Sequence, residues 1–307
     1  MAKTAYVFPG QGSQIVGMGR DLYDSYASAR AVFQQSDEVL GFPLSRLCFE
    51  GPEDELRKTV NAQPALVAAS FACLRAAEET AGEAFPKPDF VAGHSLGEYT
   101  ALGAAGVLDF ATTLYLARER GRLMYEVGLS RPGGMAAVIG MDESVLSAIC
   151  RQGGTWIANI NCPGQLVISG GTAEVDRTVE LVKARGARAI PLPVSGAFHT
   201  PLMLPASEGM SAHISRLAFR DPGIPVIGNT TAAPLTTVAS VRAELLEQLC
   251  HCVQWQRSVE YMTAQGVTTF VEIGPGKVLA GLIKRISKDS RTVNLGDLPS
   301  VNSFAGS

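Results

Sequence analysis

Ser95 is the residue from which a reaction is most readily built. It sits in Gly93-His-Ser-Leu-Gly97, a GxSxG pattern between a short apolar run, Asp89-Phe-Val-Ala92, and an Ala-rich run from Glu98 to Val107. A strand before and a helix after is the context a nucleophile elbow needs. The flanking glycines allow a sharp turn that lifts the serine to the carboxyl end of the strand. The following helix then aims its free N–H groups and dipole at the reacting centre, where they favour a developing oxyanion. The N–H of Leu96, one residue beyond the serine, is the natural first donor. The bland alternative is a glycine-bounded turn carrying an ordinary serine.

A serine hydroxyl needs a base, and the chain offers His94, His199, His213 and His251. His94 adjoins the serine in sequence and would normally point away from it. His213 falls in a helix among polar residues, which suits a surface role. His251 lies between Cys250 and Cys252, but three adjacent residues rarely converge on one metal ion. By elimination the best base is His199, in the turn-rich Gly196-Ala-Phe-His-Thr-Pro201 just after a strand. Loops at strand ends carry functional residues, although a structural loop histidine remains an equal alternative from these residues alone. Two glycine-rich segments fail the nucleotide templates. Phe8-Pro-Gly-Gln-Gly-Ser-Gln14 is not GxGxxG and has no following GK[ST], and Gly274-Pro-Gly-Lys277 fails in the same way. The first suits close backbone approach, as in a loop lending a second oxyanion donor.

The elements around these residues alternate. Ala5–Phe8 reads as a strand, 17–40 as helical, Pro52–Leu56 as a helix start, and Pro64 as the start of a helix reaching about Gly82. Asp109 opens another helix to about Tyr125. Strands at Met135–Ile139, Trp156–Ile160, Leu166–Ser169 and Arg188–Val194, with helices at 142–152 and 173–184, then give the order β-α-β-β-α-β. That is the ferredoxin-like signature, and Pro191 and Pro193 place its last strand at an edge. Beyond it come a strand at Pro225–Gly228, helices within 238–265, a strand at Thr269–Ile273 and a helix at 276–286. The end from Asp297 is polar and reads as frayed. The expectation is an α/β core with a mainly parallel sheet, formed by 1–129 and 196–307, with a small α+β domain inserted at 130–195.

Composition removes several classes. A chain of 307 residues is long enough for a sizeable core, and 46% hydrophobic residues argue against disorder. A net charge of −3 gives no footprint for nucleic acid. Six scattered cysteines make no CxxC, and the histidines make no HExxH, so neither a disulfide framework nor a zinc site is expected. No run is apolar for long enough to cross a membrane, and the first residues lack a signal-peptide h-region. Cytoplasm is the expected location.

As an ordered set, the segments strongly resemble the malonyl-CoA:acyl carrier protein transacylases and the related acyltransferase domains of polyketide synthases. The matching pieces are Phe8–Gln14, Gln63-Pro-Ala65, Gly93–Tyr99, Arg120-Gly121, Asn161-Cys-Pro-Gly-Gln165, Gly196–His199, Gly228-Asn229, Val253-Gln-Trp255 and Glu272–Gly276. They span nearly the whole chain. The resemblance implies an α/β-hydrolase-like large domain with the ferredoxin-like one inserted. It implies Ser95 as nucleophile, His199 as base, and the N–H groups of Gln11 and Leu96 as oxyanion hole. It further implies that Arg120 binds the malonyl carboxylate, that Gln63 and Asn161 line the pocket, and that Gln254 orients His199 through its backbone carbonyl. Phe198, before the histidine, resembles malonyl-selective members. Cys250-His251-Cys252 departs from relatives that often carry a proline there. The implied reaction moves malonyl from malonyl-CoA to the phosphopantetheine thiol of acyl carrier protein, with no cofactor, in fatty acid biosynthesis. The alternatives are a free-standing polyketide acyltransferase, a thioester hydrolase on the same Ser–His site, or a non-catalytic scaffold for carrier proteins. A monomer is expected, and Lys277, Lys284 and Arg285 are expected to form a basic patch facing an acidic carrier protein.

Overall fold

The strands of the computed structural model, which describes residues 3–305, gather into two sheets. In chain order they are β1 (Lys3–Phe8), β2 (Phe90–Gly93), β3 (Gly133–Ile139), β4 (Trp156–Cys162) and β5 (Gln165–Gly171). They continue with β6 (Arg188–Pro191), β7 (Val226–Ile227), β8 (Pro234–Leu235), β9 (Val267–Ile273) and β10 (Arg291–Leu295). The first sheet runs β10-β9-β1-β2-β7-β8 and is parallel apart from the β7–β8 pair. β10 adds an edge strand that the sequence patterns did not suggest. β1 lies inside this sheet and shows why its run is apolar throughout. Tyr6 and Phe8 enter one core with the helix Thr59–Ala81, while Ala5 and Val7 enter another with Trp255, Val259 and Ile283. A strand covered on both faces has no side that can be polar.

The second sheet, β4-β5-β3-β6, is antiparallel, with β6 at its edge as its prolines require. Its order with helices Glu143–Gly153 and Thr172–Lys183 is β-α-β-β-α-β. Strand alternation divides its residues cleanly. Ala136, Val138, Ile160, Leu166 and Ile168 pack under the two helices. Met135, Ala137, Asn159, Asn161, Gln165 and Val167 point the other way and wall a cleft against the first sheet.

Three expected elements differ. The helix expected over 17–40 is two, Arg20–Ser25 and Ala27–Leu40, broken where Tyr26 is extended (φ −119°). The helix expected to begin at Pro64 begins at Thr59, so the proline is internal. Proline cannot donate to the carbonyl four residues back; here that carbonyl, of Val60, accepts from Arg118 Nη1 at 2.7 Å. The end is not frayed from Asp297. Leu298–Ala305 is a helix, with Asp297 Oδ1 accepting from Ser300 N at 2.9 Å and Asp21 Oδ2 accepting from Leu298 N at 2.6 Å. Val301 is buried in the main core, and the ring of Phe304 packs on Phe85 at 5.6 Å.

Candidate active site

The elbow forms because two of its positions have no room for a side chain. A Cβ on Gly93 would lie 1.9 Å from the carbonyl carbon of Gly97, and a Cβ on Gly97 would lie 2.1 Å from Phe8 O. Between them Ser95 takes φ 50°, a left-handed conformation that costs a non-glycine residue about 1–3 kcal/mol. Asn229, beyond β7, holds it there. Its Oδ1 accepts from Ser95 N at 2.7 Å, and its Nδ2 donates to Gly93 O at 2.7 Å. The helix Gly97–Ala104 follows, so Ser95 stands at its N-terminus.

His199 Nε2 lies 2.7 Å from Ser95 Oγ, and its Nδ1 lies 2.8 Å from the backbone oxygen of Gln248. A carbonyl can only accept, so Nδ1 carries the hydrogen and Nε2 presents its lone pair to the serine. Burial, and then the charge of Arg120, lower the pKa of His199 to about 3. The imidazole is therefore neutral at ordinary pH, as a base must be. The orienting carbonyl corrects one expectation, since it belongs to Gln248 and not Gln254. Gln248 follows the helix Val238–Glu247, where backbone carbonyls have no partner within the helix. Gln254 donates its N–H to Asn229 O at 2.7 Å, accepts from Arg257 with its side chain, and faces a separate groove beside Glu143 and Trp156.

Arg120 is 1% exposed, unlike its helix neighbours Arg118, which caps Val60, and Arg122, which pairs with Glu119 and Glu126 on the surface. Arg120 Nη1 donates to Gln63 Oε1 at 2.9 Å; Nη2 reaches Gln248 Oε1 at 2.7 Å and Ser95 Oγ at 3.1 Å. Its Nε has no partner, and among the described residues no carboxylate forms an ion pair with it. Burial lowers its pKa, yet a guanidinium keeps its proton. A buried cation without an anion, at the nucleophile, fits a ligand that brings its own carboxylate.

The cleft above Ser95 holds about 310 Å³ and is lined by Gln11, His94, Asn161, Phe198, Leu279 and Leu282 among others. Gln63 does not line it. That residue is fully buried behind Arg120, with Nε2 on Met124 Sδ at 3.3 Å. Asn161 Oδ1 meets His94 Nε2 at 2.9 Å, so His94 turns to the antiparallel wall and away from the serine hydroxyl. Among the described residues, no acceptor takes the N–H of Gln11 or of Leu96. His213 pairs with Tyr115 and His251 with Glu247, both outside the cleft. Lys277, Lys284 and Arg285 are exposed on or next to the helix Val278–Ile286, whose Val278, Leu279 and Leu282 line the cleft. Arg285 is tied to Gln165 Oε1 at 2.6 Å, and Lys284 to Ser290 O. Among the described residues no group of three or more His, Cys, Asp or Glu is placed to hold a metal ion, and no helix is long and apolar enough to cross a membrane.

Three residues of the site escaped the sequence reading. Gln248 acts partly through a backbone atom, which no side-chain pattern reveals. Asn229 lay in a matching segment but carried no assigned task. Glu98, 0% exposed, follows the elbow and accepts from Asn229 N at 2.8 Å, Asn229 Nδ2 at 3.1 Å and Gln248 Nε2. Burial and nearby Glu244 push its carboxyl well above the usual range, against those donors and Arg120. The one available signal was a charged residue in an otherwise uncharged helix.

A strained serine, a neutral histidine on it and free N–H groups beside it define an acyltransferase-type centre on an α/β fold. The acyl transferase domain family matches residues 5–298. A malonyl CoA-acyl carrier protein transacylase of Bacillus subtilis is 45% identical over 303 residues, covering 97% of this chain and 94% of the relative. That of Escherichia coli K12 is 43% identical over 310 residues, covering 99% of each. The crystal structure of acyl-carrier-protein-S-malonyltransferase from Bartonella henselae superposes with a TM-score of 0.94 at 40% identity, over 99% of this chain and 100% of that one. A malonyl-transacylase in complex with its type II PKS acyl-carrier protein gives 0.94 at 39%, over 99% of each chain. The chain belongs to the malonyl CoA-acyl carrier protein transacylase family.

Proposed function

We propose that this enzyme transfers malonyl from malonyl-CoA to the phosphopantetheine thiol of acyl carrier protein through a malonyl ester of Ser95. Ser95 gives its proton to His199 Nε2 as Oγ bonds to the thioester carbonyl carbon. The oxyanion takes the N–H groups of Gln11 and Leu96. The C–S bond then breaks, and CoA leaves as the thiol with the proton from His199. In the second half the carrier thiol gives its proton to His199 while its sulfur attacks the ester, and Ser95 Oγ departs with that proton. Arg120 holds the free carboxylate of the acyl group throughout. The observation that carries this reading is the buried, carboxylate-free guanidinium 3.1 Å from the nucleophilic oxygen.

Asn161 and Phe198 shape the acyl and thioester space of the cleft. No cofactor is needed, because each proton and charge in the sequence has a protein group to receive it. The small domain of 130–195 serves as the cleft's second wall, with 1–129 and 196–307 carrying the chemistry. The reading places the work in the cytoplasm, in fatty acid synthesis, with Lys277, Lys284 and Arg285 meeting the carrier protein. Six free cysteines suit that compartment. Labelled malonyl-CoA followed by digestion tests the core of it. Label is expected on the peptide containing Ser95, and label elsewhere or none would overturn the reading.

A further inference from the structure

We propose that Glu98 is a positioning residue for acyl-group selection, holding Arg120 ready for a carboxylate by fixing which way the Gln248 amide faces. A glutamine side chain fits a site equally well with its oxygen and nitrogen exchanged, so something must choose. At Gln248 the oxygen meets a donor, Arg120 Nη2, at 2.7 Å. Its nitrogen meets two acceptors, Ser95 O at 2.9 Å and Glu98 Oε2. Asn229 is sorted in the same way: Oδ1 toward Ser95 N, and Nδ2 toward Gly93 O and Glu98 Oε1. Both oxygens of Glu98 thus face donors, and each fixes one amide.

The position of the carboxyl group matters as much. A carboxylate bonded directly to Arg120 would occupy the hydrogens that substrate needs. Glu98 stands one amide away, so it acts on Arg120 through Gln248 and leaves the guanidinium free of any direct carboxylate partner. The neighbouring buried acid, Glu244, is spent on Thr230, taking its N–H at 2.7 Å and its hydroxyl at 2.6 Å. Its carboxyl group bonds neither the Gln248 side chain nor Arg120.

This inference rests on Arg120 as the carboxylate-binding group, and its test separates the two. In Glu98→Gln the new amide keeps its oxygen on Asn229 and turns its nitrogen to Gln248 Nε2. Gln248 Nε2 then faces a donor, which sets that clash against its bonds to Ser95 O and Arg120 Nη2 and loosens the amide that holds the guanidinium. Malonyl transfer from malonyl-CoA is expected to fall about tenfold or more further than serine acylation by p-nitrophenyl acetate does. Gln248→Leu keeps the backbone carbonyl on His199 and should reproduce the same loss of selectivity, and the double variant should be no worse than either single one. Equal losses for malonyl and acetyl, undiminished malonyl transfer, or additive losses in the double variant would overturn the proposal. If Glu98→Gln does not fold, as read by melting, Gln248→Leu alone decides by the same ratio. Arg120→Met is the control. If it leaves the malonyl preference intact, the reading of Arg120 fails; if it abolishes the preference and Glu98→Gln does not, this inference alone fails.

Discussion

The two walls of the cleft are built on opposite plans. Around Ser95 every polar group is held by residues far away in sequence: Asn229, Gln248, Arg120 and Gln63 converge from separate elements. The antiparallel wall sets Met135, Ala137 and Val167 beside Asn159, Asn161 and Gln165, all projecting from neighbouring strands by simple alternation. In the proposed reaction the first wall recognises charge and moves protons, where a small misplacement is costly. In the same proposed reaction the second supplies a bed for the acyl-thioester chain, where area counts more than direction. Sensitivity to substitution should therefore be lopsided.

Ser95→Ala should remove transfer almost wholly, by about a million-fold as for other serine nucleophiles acting with a histidine, measured as carrier-protein loading. Substantial residual loading would break the contrast at its strongest point. Arg120→Met comes next. Losing a bidentate charged contact costs about 1.5–3 kcal/mol, so malonyl kcat/KM should drop by ten- to a hundred-fold or more while acetyl transfer falls little. A matching loss for both acyl groups would mean Arg120 serves the serine and not the carboxylate.

Smaller still is an effect on pH. His199 has its folded pKa lowered to about 3 from an ordinary 6.5, so the unfolded chain binds the proton more readily. Stability is full above about 6.5 and is lost as pH falls toward 3. The acid limb of kcat/KM should accordingly lie well below 6.5, and Arg120→Met should move it upward, since the Arg120 charge helps hold the value down. A limb at 6.5 in the parent enzyme would refute the buried, neutral base. Smallest of all, Val167→Ala on the antiparallel wall should change malonyl kcat/KM by less than about threefold, its cost appearing as about 1 kcal/mol or more of stability in a melt. A larger kinetic loss would give that wall a directional role.

The Ser95 elbow was legible because its turn demands glycines at fixed spacing, and steric demands write themselves into sequence. His199 was legible by elimination among four histidines. Arg120 could not be told from Arg118 and Arg122 by spacing, since burial depends on what packs over a helix, and the family resemblance singled it out. Gln248 escaped because the orienting atom is a main-chain oxygen, which every residue has. The alternating elements gave both sheets, yet Pro64 misled, because the rescue of Val60 O by Arg118 lies on another helix. The terminal helix was masked by its polar composition for a similar reason: its anchors are Asp21 and Phe85.

The place of β1 bears on how the chain reaches this state. It lies between β2 and β9, and β9 belongs to the last part of the chain. During synthesis β1 emerges long before β9, and the edge it offers to β9 stays open until that strand has been translated. Long-range parallel pairing is slow to form, and an uncovered strand is an invitation to neighbouring chains. A chain that stops before Leu295 leaves the first sheet unfinished, with an unpaired strand edge exposed.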